Sequence, residues 1–160
     1  MNIRKVLEAG KVVRYHSTLI DKKQNNAEHQ WETATILCHI FPEAKAHLVL
    51  YALTHDSGEI FTGDIPAPVK KHYPEIKKAC DEMEKVYMQE ELGLPLLQFS
   101  QRELLAVKYA DILSGIYFTT GRINAGDRAA IEIRDKWIEY IGSLPFLSDK
   151  VATTIEELKK

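Results

Sequence analysis

The chain has 160 residues, 45% of them hydrophobic, and a formal net charge of −2 at pH 7. This length suits one core, so we predict a single domain over residues 1–160. The near-neutral charge and the absence of a long Lys/Arg run argue against a nucleic-acid partner, although a free anionic ligand remains compatible. Neither a signal-peptide pattern nor a membrane-length apolar run occurs, so we expect no membrane partner and a cytoplasmic location. The two cysteines form no C-x-x-C pair, which favours reduced thiols.

Helical periodicity dominates the chain, and we predict an all-α domain of about six or seven helices without strands. The first clear helix has an apolar stripe and ends at Pro42. The stripe comprises Ala27, Trp31, Ala34, Cys38 and Phe41. Residues 46–53 are apolar nearly all round, which predicts a centrally buried helix. Two prolines and a glycine within residues 62–68 predict a loop.

The second half of the chain predicts further helices with recognisable ends. Pro74 suits the first turn of one helix, and Gly93 lies past its end. Ser100 begins a capping-box pattern before a long helix over Gln101–Thr120, which Gly121 closes. Asp127 can cap another helix, and a short amphipathic tail follows. The apolar positions of these last two segments are Ala130, Ile133, Trp137, Ile141, Val151, Ile155 and Leu158.

Four ionisable residues at three places in the chain stand out against this apolar background. His55 and Asp56 end the most apolar helix, Asp111 lies within an apolar stretch, and His29 points away from the stripe of its helix. An ionised carboxylate in such surroundings needs a cation or strong donors. Taken singly, Asp111 could form a buried ion pair with an arginine, and His55 could be a hydrogen-bonded core histidine. Taken together, two imidazoles and two carboxylates suit a divalent transition metal.

The order His29, His55-Asp56, Asp111 resembles the H…HD…D signature of the HD phosphohydrolase superfamily. More specifically, three segments resemble the bacterial 5′-deoxynucleotidase family and its compact viral relatives, some of which are dATP triphosphohydrolases. These segments are Asn26–His29, Thr54–Lys70 and Val107–Asp111. The run H-D-x-x-E-x-x-T-G-D-x-P-x-P-x-K makes the resemblance specific. It implies an HD-domain helical bundle, and the short chain favours the viral branch, for which the location is the host cytoplasm.

The resemblance also implies roles for individual residues. The implied metal ligands are His29, His55, Asp56 and Asp111, which would hold one divalent ion, with Co, Zn and Mn the leading candidates. Glu59 is the implied catalytic proton carrier, and Asp64 would contact the sugar hydroxyl or orient Glu59. The implied substrate contacts are Arg14, Tyr15, Asp64, Pro68 and Lys70. The alternatives are a surface arginine at position 14, a plain turn at Pro68 and a solvated lysine at position 70.

The activity implied by the resemblance is metal-dependent hydrolysis at the α-phosphorus of a 2′-deoxynucleotide, which releases the deoxynucleoside. Attack at that atom accommodates mono-, di- and triphosphates, and adenine is favoured if the chain is of the viral type. The alternatives are another HD phosphodiesterase, an HD oxygenase with two irons, and a nucleotide-binding sensor with little or no catalysis. The expected partners are the deoxynucleotide and further copies of the same chain, in a homo-oligomer.

Overall fold

The computed structural model describes all 160 residues. The elements in chain order are α1 (Ile3–Ala9), β1 (Val13–Arg14), β2 (Gln24–Asn25), α2 (Asn26–Ile40), α3 (Ala46–Ala52), α4 (Glu59–Thr62), α5 (Ala67–His72), α6 (Pro74–Glu90), α7 (Gln101–Asn124), α8 (Ala129–Gly142) and α9 (Asp149–Leu158). The predicted all-α class is confirmed. There are nine helices rather than about six or seven. The additional helices are the short ones α1, α4 and α5, which have 7, 4 and 6 residues.

Helix α7 is the longest element and lies at the centre of the fold, with α2 and α8 packed along it. Its start is the predicted capping box, in which Ser100 and Glu103 each accept a hydrogen bond from the other's backbone N–H. The predicted end at Gly121 is wrong, because α7 continues to Asn124. A glycine inside a helix costs only about 1 kcal/mol relative to alanine, so it does not end a helix by itself.

The hydrophobic core lies between α7 and the helices α2, α3, α8 and α9. Helix α8 packs closely against α7 at Gly115, where an added Cβ would lie 3.0 Å from the indole nitrogen of Trp137. The N-cap of α8 is Arg128 and not the predicted Asp127, which lies one residue earlier and accepts a hydrogen bond from the Ala129 N–H at 3.0 Å. Val151 of α9 is buried in the same core.

Helix α2 buries a face different from the predicted one. Its start is fixed by a second capping box, between Asn25 and Glu28. Within the predicted apolar stripe, Ala34 and Phe41 are buried, whereas Ala27, Trp31 and Cys38 are exposed. The buried face instead comprises Asn26, His29, Gln30, Thr33, Ala34, Leu37 and Ile40. The stripe prediction was therefore wrong, and α2 presents largely polar side chains to α7 near its N-terminal end.

Two other predictions need correction around the turn that follows α3. Helix α3 buries only Leu48 and Ala52, so it lies against the core on one side rather than in its centre. The predicted loop over residues 62–68 is shorter, because α4 ends at Thr62 and α5 begins at Ala67. Pro68 therefore belongs to the first turn of α5, a position that suits proline because the N–H groups there have no partner within the helix.

Strands β1 and β2 form a small antiparallel ladder that pairs Val13 with Asn25 and Arg14 with Gln24. These strands contradict the expectation of no strands, and two residues are too few to show a period of two. The ladder fixes Arg14 beside the N-terminus of α2. None of the helices combines the length and the apolar character that crossing a membrane requires.

Candidate metal centre and active site

His29 of α2, His55 after α3 and Asp111 of α7 converge on one point. Each offers a ligand atom, and these atoms all lie within 4.8 Å of one another. The His29 side chain is only 1% exposed, and Nε2 of His29 lies 3.2 Å from Oδ1 of Asp111. Three segments that are distant in the chain thus place two imidazoles and one carboxylate together, which is a set of ligands that divalent transition metals prefer.

Both imidazoles are oriented with Nε2 toward this point. Nδ1 of His55 lies 2.9 Å from the carbonyl oxygen of Ala52, which can only accept, so Nδ1 carries the proton and Nε2 is a free lone pair. Nδ1 of His29 lies 2.9 Å from Oγ of Ser114. Neither Nε2 atom has a hydrogen-bond partner, although both are buried. Burial lowers the pKa of His29, assisted by the nearby charge of Arg14, which favours the neutral form that binds metals.

Asp56 lies beside these three groups, with Oδ2 3.5 Å from Nε2 of His29 and 3.5 Å from Nε2 of His55. The same oxygen forms an ion pair with Arg14. Burial opposes ionisation of Asp56, but the neighbouring His55, Arg14 and His29 outweigh it and lower its pKa. The side chain of Arg14 is only 14% exposed. Arg14 is therefore part of this site and not a surface arginine.

Asp111 is held by a lysine and not by the arginine considered above. Oδ2 of Asp111 accepts a hydrogen bond from Nζ of Lys108 at 2.8 Å, one helical turn earlier. Burial opposes ionisation, yet Lys108 and the two histidines hold the pKa of Asp111 well below its usual range. Asp111 is thus an anion with Oδ1 directed toward His29.

Glu59 is a second strongly perturbed acid near the site. It is 3% exposed, and burial together with the charge of Asp56 raises its pKa to about 8. Nδ2 of Asn26 donates to Oε2 of Glu59 at 3.0 Å and to the carbonyl oxygen of Asp56 at 3.1 Å. Nζ of Lys70 lies 3.8 Å from Oε1 of Glu59, so Lys70 lies against Glu59 and is not a fully solvated lysine.

Residues 9–145 match the model of a protein family described as 5′-deoxynucleotidase YfbR-like. The chain belongs to the YfbR-like 5′-deoxynucleotidase family. It is 32% identical over 117 residues to a 5′-deoxynucleotidase of Pasteurella multocida, a match that covers 58% of each protein. It is also 30% identical over 93 residues to the 5′-deoxynucleotidase yfbR of Photorhabdus temperata, covering 50% of this chain and 47% of the relative. The chain therefore spans about half the length of these relatives.

The overall fold is similar to that of the cyanophage S-2L HD phosphohydrolase DatZ. The two structures have a TM-score of 0.67 at 17% sequence identity, and the match covers 98% of this chain and 95% of DatZ. The DatZ structure holds dA and one catalytic Zn²⁺ ion. This likeness confirms the predicted HD-domain helical fold.

The remaining substrate-contact candidates of this YfbR-like chain lie at the edge of the site. Tyr15 has a φ of +59°, a conformation that costs energy for an aromatic residue. Its ring stacks on Phe118 with the centroids 5.2 Å apart. Oδ2 of Asp64 lies 3.9 Å from Nδ1 of His16, while Pro68 is exposed. Of these candidates, Tyr15 is engaged with α7, Asp64 lies in the segment between α4 and α5, and Pro68 lies in the first turn of α5.

Sequence reasoning missed a set of buried or partly buried polar residues that surround the ligands. The set comprises Gln24, Asn26, Gln30, Glu32 and Ser114. With its amide oriented to satisfy its neighbours, Gln30 donates to the Leu53 carbonyl at 2.9 Å and accepts from the Asp56 and Ser57 N–H groups at 3.3 Å. A detectable signal existed, because the polar residues Asn26, His29, Gln30 and Thr33 recur at helical spacing on one face of α2.

Proposed function

We propose that this chain is a metal-dependent phosphohydrolase that cleaves 2′-deoxynucleotides at the α-phosphorus and releases the deoxynucleoside. The observation that carries the proposal is the pair of buried, unpartnered Nε2 atoms of His29 and His55, which lie with Asp111 within 4.8 Å of one another. Membership of the YfbR-like family and the deoxynucleotidase names of the relatives support it. The dA found with DatZ agrees with a deoxynucleoside product.

His29, His55 and Asp111 would hold one divalent ion, with Asp56 as the fourth ligand. The mixture of imidazole and carboxylate favours Co, Zn or Mn over Ca or Mg. When bound, such an ion acidifies water and neutralises phosphate charge. The pairing of Asp56 with Arg14 brings a guanidinium to the same point, where its planar fork suits a phosphate group.

Glu59 would move the proton during hydrolysis. Its raised pKa of about 8 lets it hold or release a proton near neutral pH, which general acid–base catalysis requires. The hydrogen bond from Asn26 fixes the carboxyl group in place, and Lys70 lies close enough to meet a phosphate oxygen near Glu59. Arg14 and Lys70 would together offset the charge of the phosphate.

Selection of the sugar would involve Tyr15, Asp64 and Pro68. A wall that merely crowds a 2′-hydroxyl discriminates by about a hundredfold. We therefore expect a deoxy preference of that size. The outer phosphates would extend toward solvent, so both dAMP and dATP are expected substrates.

Product analysis tests the proposed function. The purified protein, supplied in turn with Co, Mn, Zn and Mg, is incubated with dAMP, dATP, AMP and ATP, and the products are separated by chromatography. The expected result is deoxyadenosine, released with phosphate from dAMP and with triphosphate from dATP. Equal kcat/KM values for ATP and dATP would contradict the proposed preference for 2′-deoxynucleotides. Products without a nucleoside would contradict cleavage at the α-phosphorus and favour another phosphodiesterase.

We also propose a homo-oligomer, and the exposed side of α2 supports it. Ala27, Trp31 and Cys38 lie on one face, and Trp31 is 62% exposed. An apolar face of this kind is typical of a protein–protein contact. Sedimentation velocity should reveal an assembly that Trp31→Glu weakens and that the distant substitution Tyr140→Glu leaves intact. A monomeric wild-type protein would contradict the proposal.

A further inference from the structure

A chain of polar side chains, buried except for the partly exposed Glu32, lies behind His29, on the side away from the ligand point. Nδ1 of His29 lies 2.9 Å from Oγ of Ser114 on α7. Oγ of Ser114 lies 2.7 Å from Oε2 of Glu32, and Nε2 of Gln24 donates to the same Oε2 at 2.8 Å. Ser114 and Gln24 are 0% and 1% exposed. Neither Glu32 nor Ser114 is among the candidate metal ligands.

The chemistry of these groups fixes the direction of the hydrogen bonds. An ionised carboxylate only accepts, so Glu32 takes hydrogen bonds from both Gln24 and Ser114. Ser114 has a single hydroxyl proton and gives it to Glu32. Its remaining lone pairs can then accept from His29, which places the histidine proton on Nδ1 and leaves Nε2 as a lone pair.

His29 needs such an arrangement more than His55 does. His55 donates to a backbone carbonyl, that of Ala52, which cannot reverse its role. His29 lies inside α2, where backbone carbonyls are engaged in helical hydrogen bonds, so a side chain must orient it. A proton on Nε2 would face Oδ1 of Asp111 at 3.2 Å. That hydrogen bond would engage two of the candidate ligands at once.

We propose that Ser114 and Glu32 are positioning residues, which keep the proton of His29 on Nδ1 and so reserve Nε2 of His29 and Oδ1 of Asp111 for the divalent ion. This inference rests on the proposed metal site. Loss of a residue that hydrogen-bonds to a metal ligand, without contacting the metal itself, typically weakens metal binding by about 10–100-fold. Since Glu32 acts only through Ser114, its effect should disappear when the Ser114 hydroxyl is absent.

The first measurement reads the tautomer directly, in the metal-free protein. Nitrogen-15 NMR of protein labelled in its histidines distinguishes Nδ1–H from Nε2–H, and the His29 signals are assigned by their loss in His29→Ala. We expect Nδ1–H in the wild type and a shift toward Nε2–H in Ser114→Ala. The control is Thr119→Val, which removes another buried hydroxyl from α7, one that bonds only to backbone carbonyls.

The second measurement is the affinity for Zn²⁺ and Co²⁺, by competition with a chromophoric chelator. Ser114→Ala should bind about 10–100-fold more weakly than the wild type. Glu32→Gln, which keeps the side-chain shape, should also bind more weakly, and the double variant should match Ser114→Ala. Thr119→Val and Glu28→Gln, a carboxylate of the same helix that lies at its exposed start, should bind like the wild type.

Wild-type affinity in Glu32→Gln, or an additive loss in the double variant, would overturn the proposal, as would an unchanged His29 tautomer in Ser114→Ala. If Ser114→Ala fails to fold, Glu32→Gln alone decides. Failure of the metal site itself has a different signature, because His29→Ala and Asp111→Ala would then also keep wild-type affinity. Loss of binding in those two variants but not in Glu32→Gln would reject only the positioning role.

Discussion

Asp111 illustrates how a single partly buried carboxylate can require a cation. It contacts Lys108 through one oxygen and faces His29 with the other. We expect Asp111→Asn to retain at least about tenfold less bound metal than the wild type, because removing the charge weakens the whole site. Metal content after dialysis measures this. Asp81→Asn is the control, since it also breaks a lysine–aspartate pair, but an exposed one. Full retention of metal in both Asp111→Asn and His55→Ala would contradict the assignment.

Glu59 can be separated from the ligands by its effect on turnover. Glu59→Gln keeps the shape of the side chain and the contact with Asn26 but cannot carry a proton. We expect it to bind metal normally while kcat falls by about two to four orders of magnitude, the usual cost of losing a general acid or base. Steady-state kinetics with dAMP measures the change. A kcat near that of the wild type would mean that another group moves the proton.

The raised pKa of Glu59 also predicts how the metal-free protein responds to pH. A carboxyl group with a pKa of about 8 in the folded state binds its proton more tightly there than in the unfolded chain. Its stabilising contribution is complete below the unfolded value and is lost as the pH rises toward 8. The wild type should therefore lose stability relative to Glu59→Gln by up to about 1.4 kcal/mol per pH unit. Denaturant unfolding of both proteins across this pH range measures the difference. Parallel curves of stability against pH would contradict the prediction.

At the scale of elements, the capping box of α7 makes a measurable contribution. The side chain of Ser100 accepts from the backbone of Glu103, which satisfies an N–H that the helix leaves free. Ser100→Ala should lower the free energy of unfolding by about 1 kcal/mol. Denaturant unfolding measures it, with Ser17→Ala as an exposed control outside any helix. Equal loss in both variants would argue against a capping role.

The same scale explains which elements could be predicted from sequence. Long helices with caps, such as α6 and α7, were found because their ends carry proline, glycine or capping residues. Helix α2 was found but with the wrong buried face, since periodicity follows apolar residues and its buried face is polar around His29. The short helices and the strand pair have too few residues to show a period.

For the site, sequence motifs named the residues that the fold brings together: His29, His55, Asp56, Asp111 and Glu59. Their supporting partners escaped notice because they are linked only through the fold. Ser114 is 85 residues from His29 and 82 from Glu32. No local pattern connects such positions, so only the packing of α2 against α7 reveals them.

At the scale of the whole molecule, the ion would join three segments that the chain keeps apart. Its candidate ligands lie on α2, in the turn after α3, and on α7, so an unfolded chain would not present them together. A ligand that binds only the folded state stabilises it by about 2.7 kcal/mol at a concentration one hundred times its Kd. For a protein of this size, each kcal/mol raises Tm by about 2–4 °C.

Removing the metal should therefore lower Tm by about 5–10 °C relative to protein saturated with Zn²⁺ or Co²⁺. Differential scanning calorimetry of chelator-treated protein, with and without the added ion, measures the shift. Asp111→Asn should show almost no shift, because it cannot bind the ion tightly, whereas Asp81→Asn should respond like the wild type. If the added ion raises the Tm of Asp111→Asn as much as that of the wild type, the stabilising ion binds elsewhere. His29, His55 and Asp111 are then not its ligands.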